Sequence, residues 1–205
     1  MLSYLILLPV LGAIILSLLP DKGIASKTRT TAFAIAGITF FYSLFLITQY
    51  DYQTKGIQLT EFLPWIEVLG LNYNLGADGL SLPLVVLNNL LIWLAIYSSD
   101  LTEKDKGILS RPKLFYTLIL ILAACINGAL LSQNLLLFFI FYEIKLVPTY
   151  LLINIWGGEN RGYAGTKYIL YTAFSGVFVL AAFLGMVWLT GSSFDYQTVQ
   201  TLSLI

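Results

Sequence analysis

Histidine is absent from the 205 residues, which removes imidazole haem ligation, His-based zinc sites and imidazole general bases together. Cysteine occurs once, as Cys125 inside an apolar run, where a buried thiol acts as a small hydrophobe rather than a redox centre. Charge is scarce at 11% of residues, against about 25% in soluble domains. Neither sign dominates, since eleven Lys and Arg balance eleven Asp and Glu, and no net field points to nucleic acid or an acidic substrate. Low-complexity segments and short-period repeats are missing as well. Redox chemistry is therefore not expected on this chain, and proton chemistry has only Glu, Asp, Lys, Tyr and water to work with.

What remains is apolar. The chain is 58% hydrophobic with a mean hydropathy of +0.83, the composition of a membrane protein. A spanning helix needs about 20 mostly apolar residues, and six segments meet or approach this: 2–19, 31–48, 80–97, 114–131, 135–156 and 168–189. The fold class expected is an all-α membrane protein, residues 1–205 forming one membrane domain. The first segment has no basic residue ahead of its apolar run and no small-residue cleavage pattern, so it reads as a retained helix rather than a signal peptide.

Basic residues set the orientation. Lys22, Lys27, Arg29, Lys104, Lys106, Arg111, Lys113, Arg161 and Lys167 fall on one side and Lys55 alone on the other; under the positive-inside rule the N-terminus faces away from the cytoplasm. The connection 49–79 on that far side is too rich in aromatic and aliphatic residues for a solvated loop. It forms either a short hairpin or an interfacial helix anchored by Trp65. Asp78, ahead of GLSLPL, reads as the N-cap of the third helix.

The fifth segment contains FYEIKLVPTY, residues 141–150. A charge at the bilayer centre costs roughly 2.5 to 3.5 kcal/mol on insertion scales, so it is seldom left facing lipid. Glu143 lies about 12 Å from the start of its helix at 1.5 Å per residue, near mid-membrane. Lys145 cannot neutralise it locally, because positions two apart lie about 200° apart around a helix. Tyr150 and Asn154 share the line of Glu143, making a polar stripe, while Lys145 shares its side with Thr149, Leu152 and Trp156. Pro148 cannot donate to the carbonyl of Ile144 and crowds it, so a kink is expected beside both charges. Asn88, Asn89, Asn127 and Ser175 read as interhelical glue. Lys167, at a helix mouth, reads first as a snorkelling residue and second as part of a proton site.

Several of these segments carry a resemblance. YEIKLVPTYLLINIWGG is similar to the fifth-helix signature of the antiporter-like subunits of respiratory complex I, and ENRGYAGTKYILYTAFSG to the segment that follows it. LSYLILLPVLGAIILSLLP and NLGADGLSLPLVVLNNLL resemble the first and third helices of that family. Within it the likeness is to the cyanobacterial and plastid NAD(P)H:plastoquinone oxidoreductases; RGYAG and FLGMVWLTGSSFDY resemble forms from complexes devoted to carbon dioxide uptake.

The resemblance implies the N-terminal half of a fourteen-helix, proton-translocating subunit in a thylakoid membrane, its N-terminus lumenal. Other membrane subunits would be its partners, with iron-sulfur clusters and plastoquinone elsewhere in the complex and no cofactor on this chain. It also gives Glu143 the role of pairing with a lysine on a seventh helix, which would lie beyond Ile205. Two charges about 4 Å apart interact by roughly 4 kcal/mol at an effective dielectric near 20, enough to move a proton affinity by about three pKa units. Lys145 departs from the family, where Glu or an apolar residue is common. Two other readings stand beside this one: a Mrp-type cation/proton antiporter subunit with no redox partner, and an inert scaffold.

Overall fold

A computed structural model describes residues 1–18, 25–54, 56–99, 111–190, 193–196 and 198. Leu19, Lys22, Lys55, Lys104 and Lys106, used above for a helix end or for orientation, lie outside the described residues. The chain runs α1 (Ser3–Leu18), α2 (Ala25–Gln49), β1 (Gln58–Ile66), β2 (Leu71–Ala77), α3 (Ser81–Ser98), α4 (Pro112–Leu131), α5 (Leu135–Ile144), α6 (Leu146–Trp156) and α7 (Arg161–Thr190). Taking α5 and α6 as one path, five helices among the described residues are long and apolar enough to cross a membrane. α1, with 16 residues, spans about 24 Å.

Helix α4 is the hub. It packs on α1, α2, α3, α5 and α6 and buries residues on all sides, from Tyr116 and Leu120 to Asn127 and Leu131. Helices approach closely where side chains are smallest. A Cβ on Gly12 of α1 would lie 2.7 Å from Ile35 of α2, and one on Gly128 of α4 would lie 2.6 Å from the ring of Phe141.

Helices α2 and α7 begin six or seven residues before the apolar segments read from the sequence, at Ala25 and Arg161. Hydropathy marks the stretch matched to lipid; the helix continues into the headgroup zone on residues whose long basic side chains reach polar partners. Arg29 shows how: its Nε and Nη2 donate to the carbonyls of Ile96 and Tyr97, at 3.5 and 3.0 Å, closing the C-terminal end of α3. Arg161 does the same for α6, donating to the Ile155 carbonyl at 2.8 Å.

The connection 49–79 is a hairpin. β1 and β2 pair antiparallel, with bulges between Gln58 and Glu61 and between Pro64 and Ile66. A single 3-10 turn, Glu67–Leu69, closes them, ending on Gly70 at φ 64°, a conformation that glycine adopts without a Cβ clash. The interfacial-helix alternative is thereby excluded, for β-branched, aromatic and alternating residues pair here instead.

This end of the molecule is tied together further. Gln133 N–H donates to the Asn74 carbonyl at 2.8 Å, and Leu135 N–H and Tyr196 N–H exchange bonds with Phe194 and Gln133. Side-chain amides of Asn72, Asn74 and Asn134 all donate to the carboxylate of Asp195. Met1 and Ser3 bind Glu61 of β1. No local sequence pattern marks this junction.

Asp78 serves the start of α3 from the preceding turn: its Oδ1 accepts from Leu80 N–H at 3.0 Å and Ser81 N–H at 2.5 Å. Burial pushes its carboxyl up, but the bonds from Ser81 and Leu80 together outweigh burial and hold it below the usual carboxylate value. A depressed folded value contributes stability above the ordinary carboxylate range that is lost as pH falls through the folded value. Thermal unfolding followed against pH should show that acid-side loss reduced in Asp78→Asn.

Asn127 joins three elements inside the bundle. Its Nδ2 donates to Asn89 Oδ1 at 2.9 Å and to the Leu5 carbonyl at 3.0 Å, and its Oδ1 accepts from Asn88 Nδ2 at 2.9 Å. The reading of these three asparagines as glue stands; no hydrogen bond of the Ser175 side chain adds to it. Bonds of this kind contribute on average about 0.6 kcal/mol in membranes, so Asn127→Ala should lower the unfolding midpoint by an amount equivalent to about 1 to 2 kcal/mol, measured by thermal denaturation in detergent or nanodisc.

Candidate functional site

The fifth segment is two helices in line. Asn134 caps α5, its Oδ1 accepting from Leu136 and Leu137 N–H at 3.1 and 3.2 Å. The path is interrupted at Lys145, between Ile144 and Leu146. The kink was expected at Pro148; the interruption falls three residues earlier because the proline ring acts on the carbonyl one turn behind it. Pro148 itself is buried in the first turn of α6. Thr149 N–H and Oγ1 both reach back to the Lys145 carbonyl, at 3.2 and 2.9 Å.

Glu143 stands in the last turn of α5 with its carboxylate turned toward α7. Oε1 is buried and has no hydrogen-bond partner, and the space that a side chain at Gly176 would fill is taken by the Glu143 carboxylate. No ion pair joins Glu143 to Lys145. Lys145 instead places Nζ 3.8 Å from the centre of the Tyr142 ring, a cation–π contact. Thr149, which shares the side of Lys145, gives its hydroxyl to the backbone, and the lysine turns one helical turn back to an aromatic face.

Further along, Asn154 Nδ2 donates to Tyr150 Oη at 3.3 Å. No hydrogen bond links either to Glu143. A Cβ on Gly165 of α7 would sit 3.4 Å from both Asn154 and Tyr150, so α7 crosses the polar stripe with glycines at both of its ends. Lys167 is exposed on α7, Nζ 5.7 Å from the Tyr163 ring and 5.9 Å from the Tyr171 ring. Glu143, Tyr150 and Asn154 thus share the seam between α5–α6 and α7, Lys145 lies beside it, and Lys167 lies apart.

Gly176 is the residue sequence reasoning missed. Its only signal was a glycine inside an apolar helix, which reveals nothing of what faces it. Cys125 is buried and unpaired in α4. Among the described residues no group of three or more Asp, Glu or Cys is placed to hold a metal ion.

The fold, with a broken apolar helix that carries a buried carboxylate oxygen beside a long helix, is shared with chains of respiratory complex I and of a Mrp complex. Residues 132–204 match the family described as NADH:quinone oxidoreductase/Mrp antiporter, TM. A chain of respiratory complex I from Thermus thermophilus superposes with a TM-score of 0.80 at 26% identity, over 97% of this chain and 38% of that one. The Mrp complex from Dietzia shares the fold, with a TM-score of 0.72 at 18% identity over 94% of this chain and 20% of that one.

The resemblance seen in the sequence holds at the level of individual proteins. The chain is similar to NAD(P)H-quinone oxidoreductase chain 4 2 of Thermosynechococcus vestitus, 41% identical over 93% of this chain and 34% of the relative. It is similar also to NAD(P)H-quinone oxidoreductase chain 4 of Acaryochloris marina, 40% identical over 97% of this chain and 36% of the relative. The chain spans about a third of the length of these curated relatives.

Proposed function

We propose that this chain forms the Glu143-bearing part of a proton-translocating membrane subunit in a cyanobacterial NAD(P)H- or ferredoxin-dependent plastoquinone oxidoreductase. One observation carries the reading: a carboxylate oxygen is buried without a partner beside a break in a membrane helix. Intramembrane carboxylates left in this state mark proton relays, and the relatives supply the kind of complex in which such a relay would work. Electrons would pass elsewhere in the assembly; this chain would hold and release the proton, in partnership with neighbouring membrane subunits.

In mechanism, Glu143 takes a proton and gives it up as the charge near it changes, because a nearby positive group favours the ionised carboxylate and its withdrawal favours the protonated one. Lys145 is the cation at hand, held off the carboxylate by Tyr142, and the family implies a further lysine on another helix. Tyr150 and Asn154 continue the polar line toward the end of α6. Pro148 keeps the backbone open at that point. Lys167 would serve as an entry residue at the membrane surface.

The described basic residues Lys27, Arg29, Arg111 and Arg161 lie at the starts of α2, α4 and α7. That supports a cytoplasmic position for this end, with the hairpin and N-terminus in the thylakoid lumen. The variant devoted to carbon dioxide uptake is the narrower assignment, carried by the wording of α7 alone.

In membrane vesicles containing the assembled complex, Glu143→Gln should assemble normally while the rate of proton uptake through this subunit falls by about a hundredfold or more, in the range for loss of one proton-transfer group. Unchanged uptake would refute the proposal. Sodium-dependent exchange in an assembly free of iron-sulfur subunits would replace it by the antiporter reading.

A further inference from the structure

We propose that Gly176 is a positioning residue for Glu143: the missing side chain of α7 is the space in which the carboxylate sits. This rests on the proton-carrying role of Glu143 given above. The three atoms nearest to a Cβ built on Gly176 all belong to Glu143, namely Oε1, Cδ at 2.9 Å and Oε2 at 3.3 Å.

The other close glycines in the bundle differ in kind. Gly12 and Gly128 admit an isoleucine and a phenylalanine, Ile35 and Phe141, so they serve apolar packing. On α7 itself, Gly185 meets nothing within 4 Å. A glycine inside a helix costs stability relative to alanine, so one whose place is filled by a carboxylate has its compensation in what it admits. Oε1 is buried and unpartnered there. The carboxylate thus rests against peptide backbone rather than an apolar side chain, and α7 can neither fill the seam nor push the acid toward lipid.

The consequence is specific to the carboxylate. The atoms in conflict are the far end of a flexible side chain, so an added methyl moves Glu143 and leaves α7 in place. In Gly176→Ala the acid is displaced from its seat; a shorter acid at 143 would stop short of the new methyl.

The test uses the full-length subunit assembled in its native membrane. Infrared difference spectroscopy identifies the bands of Glu143 as those that Glu143→Gln removes. Gly176→Ala should shift these bands and lower proton translocation about tenfold, within what a misplacement of the order of 1 Å can impose. Gly185→Ala should do neither. Combining Gly176→Ala with Glu143→Asp should restore translocation above that of Gly176→Ala, and should restore assembly if Gly176→Ala alone fails to assemble.

Unshifted Glu143 bands in Gly176→Ala, equal shifts in Gly185→Ala, or a double variant no better than Gly176→Ala would each overturn the proposal. Failure of the underlying role is separable: normal translocation in Glu143→Gln would remove the proton function, while the band shift would still report on placement.

Discussion

Inside hydrocarbon every polar group must find its partner within the protein, and that requirement organises this molecule. Asn88, Asn89 and Asn127 meet it in part by binding one another and the Leu5 carbonyl, while Asn89 Nδ2 has no partner. Arg29 and Arg161 satisfy it for the exposed carbonyls at the ends of α3 and α6. Asp195 satisfies three asparagine amides at the hairpin end. Among the described buried side-chain atoms without a partner, which include Asn89 Nδ2, Thr117 Oγ1 and the indole nitrogens of Trp93 and Trp156, Glu143 Oε1 is the one that belongs to an ionisable group.

The carboxylate site is built from several residues acting together. Pro148 removes a backbone donor, and the helix parts at Lys145. The break sets the lysine over Tyr142 rather than on the acid, so two opposite charges stay close in sequence without cancelling. Gly176 then leaves room for the carboxylate on the facing helix. Each element alone has an ordinary structural explanation. Their convergence on one carboxylate is what makes the site a candidate for proton exchange.

Much of this was legible in advance. Apolar length placed the spans, since lipid thickness fixes how many residues must be hydrophobic. The cost of burying charge singled out Glu143 before any neighbour was known. Helix starts were misplaced at α2 and α7 because hydropathy measures contact with lipid and not helical hydrogen bonding. The Lys145–Tyr142 contact is a local pair three residues apart, a spacing that puts neighbours on one helix face, and so was legible in the sequence. Gly176 and Asp195 lay out of reach for a different reason: their partners are 33 and 61 or more residues away, and nothing local encodes which helices become neighbours.

Large apolar side chains on α7, among them Leu170, Phe174, Phe178 and Trp188, remain exposed, as suits a helix bordered by lipid or by further helices. The account therefore comes down to one carboxylate in the α5–α7 seam. Time-resolved infrared spectroscopy of the assembled complex during turnover tests it most directly. A Glu143 carboxyl band that appears and disappears within each cycle is the result predicted; a band that stays constant throughout turnover, in a complex that still moves protons, would contradict it.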